Sequence, residues 1–395
     1  MIALDTVHTA FADWLALPDP NVGGHPFDTV DLALATVVAN RLPGDPLWLF
    51  LVAPPASGKT ETLASLTGTD DVYQLNNLTP ATFISGFEKK GGDASLLPKV
   101  DGKTVVMKDF TTILTMHRDA RAEILSQLRE IYDGSYSKDF GNGKHFAWHG
   151  KMGLLAGVTP VIDREYAFNT ALGERFLLSR VRPARARDLA RRALAQRSYE
   201  TDRRRQLRQL VADFLSTVSL LPPAIPADLG EALCALAEFA AVARSPIHFD
   251  FRGDIDYIPE PEAPARLVKQ LALVCQALAL VRHEARVSVA TYITAYGIAQ
   301  DTLPAQRRVI LEAVLGHERL APITTTEVAE ATRYPTSSAR RYLQELAALR
   351  LVDRLAEGQG RADRWAPSPR LLDLLAAMKA PLLPITTFPV MSEKG

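Results

Sequence analysis

Residues 47–52 are consecutive and apolar, and a run of that length bounded by turn residues predicts a strand buried on both faces. The turn-rich segment Ala53-Pro54-Pro55-Ala56-Ser57-Gly58-Lys59-Thr60 follows, and 61–66 has helical composition. The same alternation continues downstream. Val72–Leu75, Thr104–Met107, 152–158 and 176–181 read as further strands. Between them the pattern predicts helices over 80–87, opened by Thr79, over Arg118–Tyr132, with Ile124, Leu125, Leu128 and Ile131 on one face, and over 164–172. Strands alternating with helices predict an α/β fold with a parallel sheet whose carboxyl edge holds the ligand. Ser135–Asp139 and 144–149 interrupt the rhythm as two short strands around Phe140-Gly141-Asn142-Gly143, where Asn-Gly signals a hairpin.

Two helices, 4–16 and 27–41, precede the first strand, separated by the breaker cluster 18–26, and make an N-terminal cap over 1–45. The sheet domain occupies 46–183 and an α-helical lid region 184–303, helical except for a loop rich in Pro, Asp and aromatic residues over 245–264. In 304–368 the pattern gives a helix over 306–315, a short helix Thr325–Thr332, the turn Arg333-Tyr334-Pro335, a longer helix over 337–349, and strands 351–355 and 364–366. That order predicts a winged helix-turn-helix, leaving 369–395 as a tail.

A chain of 395 residues exceeds the size at which one core stops growing, roughly 250–300 residues, so two or three domains are expected. Cys234 and Cys275 both fall in apolar helical patterns and read as buried hydrophobes, which fits a reducing, cytoplasmic setting. Neither a leader at the N-terminus nor an uncharged run of 18 residues is present, so a soluble protein without a membrane partner is expected. Formal net charge is +0, but from Arg180 to Arg208 eleven arginines face only three acids, Asp188, Glu200 and Asp202, and 248–262 is acidic. The arginine run is either a solvated helix face or a surface for nucleic acid or a partner.

The candidate chemistry starts at 53–60, a phosphate-binding loop with Ala53 in place of the usual first glycine. Backbone N–H groups of Ala53, Pro54, Pro55, Ala56, Ser57, Gly58, Lys59, Thr60 and Glu61, prolines excepted, would wrap the phosphates of ATP at a helix N-terminus. Lys59 would reach the β/γ oxygens and the Thr60 hydroxyl would ligate Mg²⁺. Asp109 closes an apolar strand as Lys108-Asp109-Phe110, where phosphoryl transfer needs a carboxylate; its alternative is a helix cap. In the winged helix, Thr336, Ser337, Ser338, Arg340, Arg341 and Gln344 should face outward and Ala339, Leu343, Leu346 and Leu349 inward, with Arg361 and Arg364 on the wing. These suit DNA phosphates and base edges, although winged helices also dock proteins.

Taken together these parts resemble the AAA+ ATPases, and within them the clade with a hairpin before sensor 1, which contains the minichromosome-maintenance helicases and the bacterial enhancer-binding activators. A narrower likeness is to ATPases of actinobacteria and their mobile elements, which carry comparable Lys-Asp-Phe, Tyr-Asp-Gly and Gly-Glu-Arg-Phe motifs. The resemblance covers roughly 47–300. It implies that Asp109 stands alone where the family has an Asp for Mg²⁺ and a Glu for water, and that Thr159 is the sensor 1 residue. It implies further that Arg175, in Gly173-Glu174-Arg175-Phe176, is an arginine finger acting in trans with Arg180 as reserve, and that Arg266 is sensor 2. The hairpin carrying Lys138 and Lys144 would enter a ring channel and track DNA, and Lys89-Lys90-Gly91-Gly92 would be a second channel insertion. The implied protein is a ring-forming homo-oligomer, a hexamer, that hydrolyses ATP as a helicase-like or DNA-remodelling motor in replication. The alternatives are an ATP-dependent DNA-binding switch, as in a transcription regulator or replication initiator, and a defence or signalling ATPase whose winged helix holds a protein.

Overall fold

Five strands of the first half of the chain, three of them buried throughout, lie side by side in a computed structural model that describes residues 2–16, 27–84, 88–89, 92–93, 95–141, 143–163, 175–182, 184–252, 254–258, 260–355 and 363–379. Two compact units are present, Met1–Ile225 with Leu273–Ala295, and Pro226–Ala272 with Tyr296–Gly395.

In the first unit α1 (Leu4–Trp14) and α2 (Asp28–Arg41) precede β1 (Trp48–Val52), which leads through the loop at 53–58 into α3 (Lys59–Ser65). Then come β2 (Val72–Leu75), the paired β3 (Glu88–Lys89) and β4 (Gly92–Asp93), α4 (Leu97–Val100), β5 (Thr104–Met107), α5 (Thr111–Leu114) and α6 (Arg118–Tyr132). The antiparallel hairpin β6 (Ser135–Asp139) and β7 (His145–His149) follows, then β8 (Gly153–Val158), β9 (Leu177–Arg180), α7 (Ala186–Gln196) and α8 (Glu200–Thr217). The sheet order is β2-β5-β8-β1-β9, and every neighbouring pair is parallel. Every residue of β1, β5 and β8 is buried, as expected of strands covered on both faces. Trp48, Phe50 and Val52 alternate onto one face, where they join Phe110, Ile124, Leu128, Ile131 and Phe176 in one core. Phe50 stacks on Phe176 with centroids 4.0 Å apart, and Trp48 meets the edge of Tyr132 at 5.1 Å. α2 packs on β1, β5 and β8 and is buried from Val30 to Asn40, so it carries apolar residues all round instead of along one stripe. The helix expected over 80–87 does not form over 80–84: the Phe83 carbonyl accepts N–H groups of Leu96 and Leu97, at 3.0 and 3.2 Å, in place of a helical donor.

The second unit contains α9 (Ala227–Ala243), a small hairpin of β10 (His248–Phe249) and β11 (Ile255–Tyr257) inside the expected loop, and parts of α10 (Ala265–Val281) and α11 (Val289–Asp301). It continues with α12 (Ala305–Gly316), β12 (Ile323–Thr324), α13 (Thr325–Thr332), α14 (Thr336–Ala348), β13 (Val352–Leu355), β14 (Arg364–Pro367) and α15 (Pro369–Ala377). Helices α12, α13 and α14 pack together beside the antiparallel sheet β12-β14-β13. Ala339, Leu343, Leu346 and Leu349 are buried as their spacing requires. Arg307 of α12, 3% exposed, donates to Glu345 of α14 at 2.9 Å and to the carbonyls of Ala243 and Ser245 at 2.7 and 2.9 Å, so a buried ion pair fixes the helix packing.

Three expectations change here. The tail begins with α15, whose Ser368 accepts the Leu371 N–H at 3.1 Å. A third strand, β12, pairs with β14 beside the expected hairpin of β13 and β14. Cys275 is buried, which pushes its thiol up to about 12, but Cys234 is exposed on α9. The breaker cluster 18–26, the helix over 164–172, Asn142 and Arg361 lie outside the described residues. Among the described residues no helix is long and apolar enough to cross a membrane.

Candidate functional site

The parallel sheet brings the carboxyl ends of β5, β8 and β1 to one edge in that order, and each end carries a singled-out residue. The loops there are knitted together. Ala53 N–H donates to the Val158 carbonyl at 3.0 Å, Phe110 N–H to the Gly157 carbonyl at 2.7 Å, and Thr159 N–H to the Thr111 hydroxyl at 3.0 Å. The Thr111 hydroxyl also donates to that of Thr159, at 3.3 Å. Residue 157 has to be glycine for this, since a Cβ there would stand 2.6 Å from the Lys108 carbonyl oxygen and push the Asp109 loop away from β8.

The phosphate loop turns through Ala56 at φ 61° and Gly58 at φ 87°, both left-handed. Lys59 is 7% exposed, and its ammonium donates to the carbonyls of Ala53 and Pro54 at 2.9 and 3.1 Å. Burial lowers the Lys59 pKa, opposed by the charge of Asp109, which places that carboxylate within electrostatic reach of the ammonium. The Ser57 hydroxyl oxygen is buried without a hydrogen-bond partner, an unspent donor inside the loop. Thr60 is exposed on the first turn of α3. Pro54, Pro55 and Ala56 are exposed as well. This set fits a triphosphate, with backbone donors, a desolvated cation and a free hydroxyl. Among the described residues no cluster of three His, Cys, Asp or Glu could hold a metal alone, so Mg²⁺ held by Thr60 and Asp109 would need phosphate and water oxygens too.

Asp109 is exposed, and its carboxylate also accepts the Thr111 N–H at 2.9 Å, a local turn ahead of α5. The cap expected as its alternative role, on the helix from 118, is not made: His117 is the N-cap of α6 and no side chain caps it. Arg180 ends β9 in register with Val52 and pairs with Asp163 through two bonds, at 2.9 and 2.7 Å. Arg175 sits at the opposite, amino end of β9 and is 6% exposed. Its guanidinium donates to Asp133 at 3.3 and 2.6 Å and lies 5.6 Å from the Tyr132 ring centroid, which is a structural arrangement and not the exposed cation that action in trans requires. Arg175→Ala is expected to destabilise the first unit by about 2–3 kcal/mol in denaturant melts, since Asp133 loses its partner but is itself half-exposed. Arg266 belongs to the second unit, where it pairs with Glu262 at 2.7 Å.

The residues expected at DNA divide in the same way. On the β6–β7 hairpin Lys138 lies 3.7 Å from Glu123 and near the Phe140 ring, while Lys144 is exposed at the turn. Lys89 pairs β3 with β4. On α14 Ser337, Arg340 and Gln344 are exposed, whereas the Arg341 guanidinium lies 4.4 Å from the Phe249 ring centroid and 3.4 Å from Glu345. Arg364 is exposed on β14.

Sequence reading missed a brace behind the phosphate loop. Glu61 accepts the indole N–H of Trp14 at 3.1 Å and two bonds from Arg204, at 2.9 and 2.8 Å. Burial raises the Glu61 pKa, but the hydrogen bonds from Arg204 and Trp14 outweigh it and hold the carboxyl below its usual range. Part of the arginine run therefore fastens α8 to the first turn of α3, and only the apolar context of Trp14 hinted at a buried partner. In comparisons with known proteins, the chain matches no family model and no curated protein sequence.

Proposed function

We propose that the first unit binds ATP with Mg²⁺ and hydrolyses it, and that the chain is an AAA+ ATPase that assembles into a ring and acts on DNA as a helicase-like or remodelling motor. The observation that carries the nucleotide reading is the buried ammonium of Lys59 inside a left-handed loop, beside strand ends bearing Asp109 and Thr159. Phosphate oxygens would replace the carbonyls that Lys59 now contacts and accept the Ser57 hydroxyl. Mg²⁺ would neutralise charge on the phosphates, and Asp109 and Thr60 are the protein oxygens placed to hold it. Thr159, tied to Thr111, would orient a water, and Arg180, the reserve finger, would supply charge only once its two bonds to Asp163 open. Arg175 would act in trans only after its pair with Asp133 opens.

Residues 304–367 read as a winged helix-turn-helix, with α14 as recognition helix and β13 and β14 as wing. Arg340 is then the principal phosphate contact on α14, because Arg341 is engaged by Phe249. A DNA-binding switch that hydrolyses ATP slowly is the second reading, favoured by the lone carboxylate of Asp109, followed by Phe110 where a second acid would speed hydrolysis. The test is duplex binding across a salt series alongside ATPase with and without DNA. Arg340→Ala is expected to weaken binding and lower the salt slope by about one unit. Lys144→Ala is expected to spare binding and reduce DNA-stimulated ATPase. An ATPase indifferent to DNA, with binding intact, would favour the switch; DNA affinity unchanged by Arg340→Ala would point to a protein partner.

A further inference from the structure

Helix α7 has eleven residues and none is buried. Its inner side is tied down by Arg192 and Gln196, which donate to the Asp13 carbonyl at 3.1 and 2.7 Å. The side turned away carries Arg187, Arg191 and Leu194 at i, i+4 and i+7, with Arg197 just beyond, and Leu194 is 76% exposed. A helix this short is marginal unless packing supports it, and on this face its one large apolar side chain, Leu194, is left to solvent beside the arginines.

The β10–β11 hairpin has the opposite character. Phe251 is 93% exposed and Tyr257 59%. Asp254, Asp256 and Glu260 are exposed and have no ion partner among the described residues. Two cations meet the rings of the hairpin: Arg252 lies over Phe251 at 5.2 Å, and Arg341 of α14 over Phe249 at 4.4 Å. The turn is held in shape by Asp250, whose carboxylate accepts the N–H groups of Arg252 and Asp254 at 2.8 and 2.9 Å.

We propose that the arginine face of α7 on one copy of the chain receives the acidic, aromatic hairpin of a second copy. The two surfaces match in charge, arginines against carboxylates, and in apolar content, Leu194 against Phe251 and Tyr257, and guanidinium groups stack on aromatic rings. Each face is exposed on its own unit, and a second copy of the chain carries the complement of each. Different patches meet in such a contact, which makes it head-to-tail and builds a ring or a filament. The contact gives surfaces to the assembly in the proposed function, and it does not rest on nucleotide binding, since no residue of 53–60 takes part in it.

Sedimentation of the full chain without nucleotide, at low and high salt, tests this. The wild type is expected to associate at low salt and dissociate as salt screens the contact. Arg187→Glu with Arg191→Glu, and separately Asp254→Lys with Asp256→Lys, should each weaken association by at least roughly tenfold. An equimolar mixture of the two variants should associate again, since each then meets a complementary face. A wild type that stays monomeric at low salt, variants that associate like wild type, or a mixture that fails to recover would overturn the proposal. So would loss of DNA binding in the arginine variant with association unchanged, which would make α7 a nucleic-acid surface. ATP titration of the same variants keeps this outcome separate from any failure of the nucleotide reading.

Discussion

Lys59→Ala is expected to lower ATP affinity by about a hundredfold without unfolding the first unit. A hydrogen bond from a charged donor contributes about 1.5–3 kcal/mol, and the Lys59 ammonium is placed to give such bonds to phosphate oxygens once they displace the carbonyls of Ala53 and Pro54. The fold should tolerate the change because removing the ammonium also removes the cost of keeping a charge desolvated. Calorimetric titration reads the affinity, and a melt read by circular dichroism confirms the fold. ATP affinity within threefold of wild type would remove Lys59 from the site.

Asp109→Asn is expected to leave ATP binding nearly intact and to reduce kcat by about 10²–10³-fold. The substitution isolates charge from geometry. An asparagine oxygen can still accept the Thr111 N–H, so the turn into α5 and the Thr111–Thr159 link are kept, while the negative charge beside the proposed metal position is gone. Asp109→Ala would remove that hydrogen bond and the charge together and should cost stability as well. The sign of a second effect follows from Lys59, whose pKa burial lowers and Asp109 raises. Without the Asp109 charge the ammonium loses its proton more readily, so the decline of ATP affinity at alkaline pH should begin at a lower pH in Asp109→Asn. Steady-state turnover and binding measured across pH check both points, and full turnover in Asp109→Asn would take that carboxylate out of the chemistry.

The sheet was legible because strands covered on both faces have no polar alternation to confuse, as in Trp48–Val52 and Gly153–Val158. The inward set of α14 was legible by its period of 3.6, since Ala339, Leu343, Leu346 and Leu349 answer only to one face. Local pattern failed where distant groups claimed backbone bonds, as with the Phe83 carbonyl and the N–H groups of Leu96 and Leu97. It could not foresee that Arg175 would be held by Asp133, or Glu61 by Trp14 and Arg204, because nothing near either residue in sequence marks its partner. α15 was missed despite a readable signal, Ser368 as cap followed by Pro369 at the first helical position. Of the candidate site, Lys59, Thr60, Asp109 and Thr159 were singled out from sequence, and the sheet order brings the strands that lead to them to one edge. Burial and pairing supplied what sequence lacked, namely which arginines are already engaged.

The central claim, that the loop at 53–60 is a nucleotide site, is tested most directly by calorimetric titration of the wild-type chain and Lys59→Ala with ATP and Mg²⁺, side by side. One ATP per wild-type chain with micromolar affinity, weakened about a hundredfold in the variant, is the expected result. No binding to the wild type at millimolar ATP, or equal binding to both chains, would contradict it.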